Sequence, residues 1–175
     1  ADCILGDGLP NGRAFPFTSG MIYSNASFDE GKFELSCKIP PIDGVWPAFW
    51  LFGECNQEID VFEFFNNLVS DSPIFGSPTS VSSQQLRTDF HRKVNCAGEG
   101  CSDPAHFNGP NYSEAFHTFS AEWDLYKIVW KVDDVPVRTR YRLTDQLGQG
   151  TETCSIGLIN DLRLPTPGQA MHIIV

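Results

Sequence analysis

Three carboxylates fall within the six residues Glu58-Ile59-Asp60-Val61-Phe62-Glu63, and the flanks, Trp46-Pro47-Ala48-Phe49-Trp50 and Phe64-Phe65, are apolar and aromatic. Charges held together on a half-buried β surface must be desolvated and repel one another, so one carboxyl is driven to keep its proton. A protonated acid beside an ionised carboxylate is the pair that cleavage of a glycosidic bond requires. In a regular strand Glu58 and Asp60 share one face and Glu63 points away from them. One extra residue, a β-bulge between Asp60 and Glu63, returns Glu63 to their face, and bulges are frequent beside active sites. Strand rise separates residues 58 and 63 by roughly three Å per residue, whereas a retaining carboxylate pair stands roughly 5–5.5 Å apart. The chemistry therefore depends on the bulge; without it Glu63 points to solvent.

The elements that must position this run read as strands. Short apolar or alternating stretches recur between Gly, Pro, Asn and Asp, which is an all-β pattern. Expected strands cover 20–24, 32–39, 45–52, 58–65, 81–90, 117–123, 126–132, 135–141 and 171–175, with Asp133-Asp134 as a hairpin turn and one helical turn over 143–147. Two packed antiparallel sheets follow. Segments 66–79 and 96–114, rich in Ser, Pro, Gly and Asn, are expected to be long loops of the kind that bind ligands. In the Trp46–Trp50 stretch, strand parity puts Phe49 and Leu51 toward a sheet-on-sheet core and both tryptophans on the opposite face, as a platform for sugar rings.

At 175 residues the chain is read as one domain, 1–175, with no repeat or linker. A formal charge of −10 with scattered bases argues against nucleic acid or a membrane surface as partner. The densest basic group, Arg87, His91, Arg92 and Lys93, reads as a solvated edge or a substrate rim. No stretch resembles a membrane span or a signal peptide, and a start at Ala1 suggests a processed or excised form. The final Ala170–Val175 segment looks like a strand that stops without a cap, leaving an unpaired edge, so truncation is expected there. Six cysteines without a C-x-x-C pair argue against zinc. A Cys96–Cys101 disulfide would close a short Gly-containing loop, while Cys37 and Cys55 are candidates for buried thiols. Sequons at Asn25 and Asn111 agree with secretion.

Several blocks in series, Ser19–Ser24, Gly31–Glu34, Gly44–Phe52, Glu58–Glu63, Phe116–Trp123 and Ile128–Asp133, resemble glycoside hydrolase family 16, retaining endo-glycanases on a jelly-roll sandwich of two curved antiparallel sheets with a concave substrate cleft. The E-x-D-x-x-E form is similar to the laminarinase-like branch, which also includes agarases and carrageenases, rather than to the shorter E-x-D-x-E of licheninases and xyloglucan-active relatives. The resemblance implies Glu58 as nucleophile, Asp60 as assisting carboxylate and Glu63 as general acid/base. It implies His117 near the catalytic strand and a cleft histidine at His91, although Arg87–Arg92 departs from the usual pattern. Trp123, of the same parity as His117, is a further candidate to line the cleft, with Trp46 and Trp50 as the sugar platform; Trp130 is expected to pack in a sheet. No cofactor is required for catalysis. A structural calcium, which such proteins often hold partly through terminal segments, has no ligands that can be placed here.

The expected function is a secreted, monomeric endo-β-glycanase acting on β-1,3- or mixed β-1,3/1,4-glucan by double displacement. Its polysaccharide substrate is neutral, which suits the acidic chain. A galactan hydrolase of the agarase or carrageenase kind is the alternative enzyme, for which Arg87, Arg92 and Lys93 would be the groups to meet sulfate. A non-catalytic carbohydrate-binding protein on the same fold is the alternative class, since a fold does not dictate a function. All three carboxylates weigh against it, because a binder has no need of a repelling triplet.

Overall fold

The computed structural model describes residues 19–42, 45–54, 57–65, 83–93, 100–102, 104–141 and 170–175. Among them, eleven strands and no helix run along the chain: β1 (Tyr23–Phe28), β2 (Gly31–Cys37), β3 (Ala48–Gly53), β4 (Glu58–Glu63), β5 (Gln85–Lys93), β6 (Gly100–Ser102), β7 (Ala105–Asn108), β8 (His117–Trp123), β9 (Lys127–Val132), β10 (Val135–Tyr141) and β11 (Met171–Ile174). They form two antiparallel sheets, one of seven strands in the order β1-β11-β3-β4-β5-β6 with β7 also on β5, the other in the order β10-β9-β8-β2. Alternation drives the stacking. From the larger sheet Phe49, Leu51, Ile59, Val61, Phe62 and Phe64 face inward; from the smaller come Phe33, Phe119, Ala121, Trp123, Ile128 and Trp130. A single aromatic-rich core fills the space between the sheets, as apolar faces must be covered in a two-layer domain.

The turn between β9 and β10 is the expected one. Asp133 and Asp134 both have positive φ, 49° and 63°, the combination of a two-residue type I′ hairpin, which Asp tolerates because of its short polar side chain.

Three expectations change. The first strand starts at Tyr23 rather than Gly20, and two short strands, β6 and β7, lie within a stretch read as loop. Ala105–Asn108 does alternate in burial, but four residues among Gly, Pro and Asn give too short a period to recognise. The C-terminal strand has no unpaired edge, because β11 lies between β1 and β3 and buries Met171 and Ile174. The expected disulfide at Cys96, the thiol of Cys55, the turn over 143–147 and the loop 66–79 lie outside the described residues. Cys37 carries no disulfide, and burial pushes its thiol pKa up.

Candidate active site

The register of β4 contains one extra residue. Against β5, Asp60 pairs with Asp89 and Glu63 with Arg87; against β3, Trp50 pairs with Asp60, Phe49 with Phe62 and Ala48 with Glu63. Three steps along β4 thus match two on each neighbour, and Val61 is the residue without a partner on β3. Val61 and Phe62 both enter the core, and Glu63 returns to the face of Glu58 and Asp60. Oxygens of Asp60, Glu63 and Asp89 come within 4.8 Å of one another.

A bulge leaves backbone groups without ladder partners, and buried ones must find others. Two donors from the smaller sheet reach across the core to this point. Trp130 donates its indole N–H to the Asp60 carbonyl at 2.8 Å. Arg138, whose guanidinium lies 4.6 Å over the Trp130 ring, donates to the carbonyl and the hydroxyl of Thr88 at 3.2 and 3.0 Å. We expect Trp130→Phe, which keeps most of the packing and removes the donor, to lose about 1–2 kcal/mol of stability and to lower turnover without abolishing it. Urea melts and kcat measured together check this.

On the outer face, β5 sets Arg87, Asp89 and His91 directly across from Glu63, Asp60 and Glu58. Arg87 bonds both Glu63 and Asp89. His91 Nε2 lies 3.1 Å from Asp60 Oδ2, 3.3 Å from Asp89 Oδ2 and 3.8 Å from Glu58 Oε1. Trp46 donates its indole N–H to Glu63 Oε1 at 3.1 Å and packs edge-on to Phe65. Trp50 stands beside Asp60 in register and edge-on to Phe52. Further along the same face, beyond Phe52, His172 stacks with Tyr23 at 4.6 Å.

Electrostatics separates the carboxylates. Burial, then the neighbouring Asp60 charge, pushes Glu58 up to about 7. Burial raises Asp60 as well, against the hydrogen bond from His91, which lowers it. In Glu63 burial again raises the pKa while the Arg87 guanidinium pulls it down; the net direction is upward. For His91 burial disfavours the charge, yet the hydrogen bond to Asp60 and the surrounding carboxylates outweigh it and lift the imidazole to about 9. Near neutral pH the cluster therefore holds an imidazolium against Asp60 and a proton shared within the Glu58–Asp60 pair, while Glu63, raised by burial, stays paired with Arg87.

These shifts have a stability sign. Glu58 and Asp60 hold protons more tightly folded than unfolded, so their contribution is full below the ordinary carboxylate range and is lost as pH rises through about 6 to 7. The His91 contribution, also a raised pKa, is full below about 6.5 and lost through about 9. We expect the melting temperature to fall between pH 5 and 9 by an amount equivalent to about 1–3 kcal/mol. Calorimetry across that range, with Glu58→Gln flattening the slope, is the check; a melting temperature that rises from pH 5 to 8 in both proteins contradicts it.

The structure brings together Glu58, Asp60, Glu63, Trp46, Trp50 and His91. It does not bring His117 or Trp123 to them. Both lie on β8 of the smaller sheet, on its inward-facing parity: Trp123 is buried in the core near Phe33, and His117 bonds Asp133 at 2.7 Å with its ring edge-on to Tyr112. Their expected place in the cleft is corrected accordingly. Asp89, absent from the expected set of site residues, and Arg87, expected only as a solvated edge or a substrate rim, stand within the cluster. Their signal was present: R-x-D-x-H is a period-two pattern that puts all three charges on one face of a strand.

Two donor sets could be asked to hold a cation, Glu58 with Asp60 and His91, and Asp60 with Glu63 and Asp89. Calcium takes six to eight oxygens. One set includes an imidazole and in the other Arg87 already bonds two carboxylates, so neither fits a structural calcium.

Two stacked antiparallel sheets with a bulged carboxylate strand on the outer face make up a jelly-roll β-sandwich. The sequence profile of glycosyl hydrolases family 16 matches residues 11–155, and the chain belongs to that family. It is 30% identical over 130 residues to endo-1,3-1,4-beta-glycanase ExsH of Rhizobium meliloti (strain 1021), covering 71% of this chain and 24% of that protein. It is 32% identical over 126 residues to a xyloglucan endotransglucosylase/hydrolase of Brassica oleracea var. botrytis, covering 70% and 37%. The chain thus spans well under half the length of these relatives. Among solved structures, the laminarinase catalytic domain of Thermotoga maritima MSB8 superposes with a TM-score of 0.61 at 20% identity, over 95% of this chain and 61% of that one. The likeness at that identity concerns the fold.

Proposed function

We propose that this chain carries the catalytic face of a retaining endo-β-glycanase that cleaves β-1,3- or mixed β-1,3/1,4-glucan. The observation that carries the proposal is the bulge at Val61, which sets Glu63 beside Asp60 and Glu58 on the outer face. In this reading Glu58 attacks the anomeric carbon as Glu63 delivers its proton to the leaving oxygen; Glu63 then takes a proton from the water that releases the glycosyl group. Asp60, hydrogen-bonded to His91, accepts or shares the Glu58 proton and leaves that carboxylate free to attack. Trp46 and Trp50 offer ring surface for sugar faces beside this centre.

One observation separates this from a sulfated-galactan hydrolase. Arg87, the base nearest the carboxylates, is engaged by Glu63 and Asp89 and does not project a free guanidinium for sulfate. A neutral chain therefore suits the site better. We further propose that the protein is secreted and acts as a monomer; Asn25, the first sequon, is exposed on β1, and among the described residues no helix is long and apolar enough to cross a membrane.

Reducing ends released from laminarin, lichenan, xyloglucan, agarose and carrageenan test the substrate class. Cleavage of the first two alone supports the proposal, and cleavage of the galactans alone overturns it. Proton NMR of the first products, with the β-anomer appearing before mutarotation, tests retention.

A further inference from the structure

Asp89 is wholly buried, at 0% exposure, and lies directly across the strand pair from Asp60, itself 2% exposed. Like charges so placed are destabilising, and a buried carboxylate persists only where donors compensate it. The donors here are specific. Asp89 Oδ1 accepts the Phe90 amide at 2.7 Å, and Oδ2 meets both Arg87 Nη2 and, at 3.3 Å, His91 Nε2. Arg87 in turn bonds Glu63, and His91 bonds Asp60.

We propose that Asp89 is a positioning residue that holds Arg87 against Glu63 and His91 against Asp60 on the same sheet face, so that a single buried carboxylate orients two members of the catalytic triplet. The inference rests on the catalytic reading above. Asp89 has no exposure through which to touch a substrate, so it acts through its two cationic neighbours. Its charge faces Glu58, Asp60 and Glu63 on β4, Arg87 and His91 on its own strand, His106 on the neighbouring β7, and Arg138 reaching Thr88 from the smaller sheet. Each β4 carboxylate is made harder to ionise by it.

Asp89→Asn keeps the side chain's shape and removes the anchor. Turnover on the cleaved glucan is expected to fall roughly 10- to 100-fold, the loss that goes with an ångström-scale misplacement, with KM little changed. Both limbs of the pH profile are expected to move to lower pH, because Glu58 and Glu63 lose a repelling neighbour. The His91 imidazole, followed by nitrogen NMR in the free protein, is expected to titrate at lower pH as well. Loss of the charge alone accounts for these shifts, whereas a fall in turnover in a folded Asp89→Glu variant, whose charge is kept, is what a merely structural role would not produce. Asp89→Glu keeps the charge and displaces it, so it should lose turnover with the pH limbs in place; it also serves if Asp89→Asn does not fold. Wild-type turnover in Asp89→Glu, or an Asp89→Asn variant that melts like the wild type with unmoved limbs and an unmoved His91 titration, overturns the proposal. If the wild-type protein cleaves none of the glycans, the catalytic reading fails, whereas the His91 titration still tests the anchor.

Discussion

Glu58→Gln is expected to reduce turnover by about 10⁴-fold or more while raising the melting temperature at pH 8 by about 2–8 °C, the shift that 1–2 kcal/mol produces in a domain of this size. Both effects have one origin. Glu58 is held in a half-buried place beside Asp60, where burial and repulsion lift its pKa to about 7, so its ionised form is costly to the fold and ready to react. An amide there relieves the cost and cannot attack carbon. Glycan binding should survive, because Trp46 and Trp50 are untouched. A smaller residue gives a sharper test: in Glu58→Gly, azide entering from the vacated side should restore cleavage of an activated aryl glycoside and yield the α-configured glycosyl azide. Undiminished turnover in Glu58→Gln would remove the nucleophile assignment. A wild-type protein that binds glucan without cleaving it, together with an unaffected variant, would make this a binding protein on a hydrolase fold.

Strand parity carried much of the site before any coordinates. It placed Phe49 and Leu51 in the core and Trp50 beside the carboxylates, and it required an extra residue before Glu63, which is Val61. Parity says which residues share a face but not which face is inward. His117 and Trp123 share a face with Phe119 and Ala121, and those two small-sheet residues are at 0% exposure, so the set turns to the core. Trp123 follows it, whereas His117, at the strand end, is caught by Asp133 of the adjoining hairpin. The pairing of β11 was hidden for a different reason. Its partners are distant in sequence, with Ser24 bonding Ile173 across 149 positions, and a four-residue apolar segment does not declare which strands will flank it. The clamp on the bulge was hidden likewise, since Trp130 and Arg138 reach β4 and β5 only after the sheets have stacked.

Changing the number of residues between Asp60 and Glu63 should separate the bulge from the residues it carries. Inserting one glycine after Val61 moves Glu63 by one step of a period-two element, toward the face of Phe49 and Phe62. A carboxylate there is unpaired and buried, and its place opposite Arg87 is lost. We expect turnover to fall by about 10² to 10⁴-fold, the worth of a positioned acid/base group, together with a loss of several kcal/mol of stability or local expulsion of the strand. Deleting Val61 has the opposite logic. Phe62 then takes the single inward position, Glu63 stays on the outer face, and the run becomes E-x-D-x-E. The cost is the Val61 side chain, 2% exposed, and a straighter strand under the Trp130 and Arg138 donors, so the deletion should retain activity within roughly 10²-fold of the parent. Side-by-side kcat values on the cleaved glucan, with thermal melts to confirm folding, decide it. An insertion variant as active as the parent, or a folded deletion variant less active than the insertion, would show that face parity does not place the acid/base in this strand.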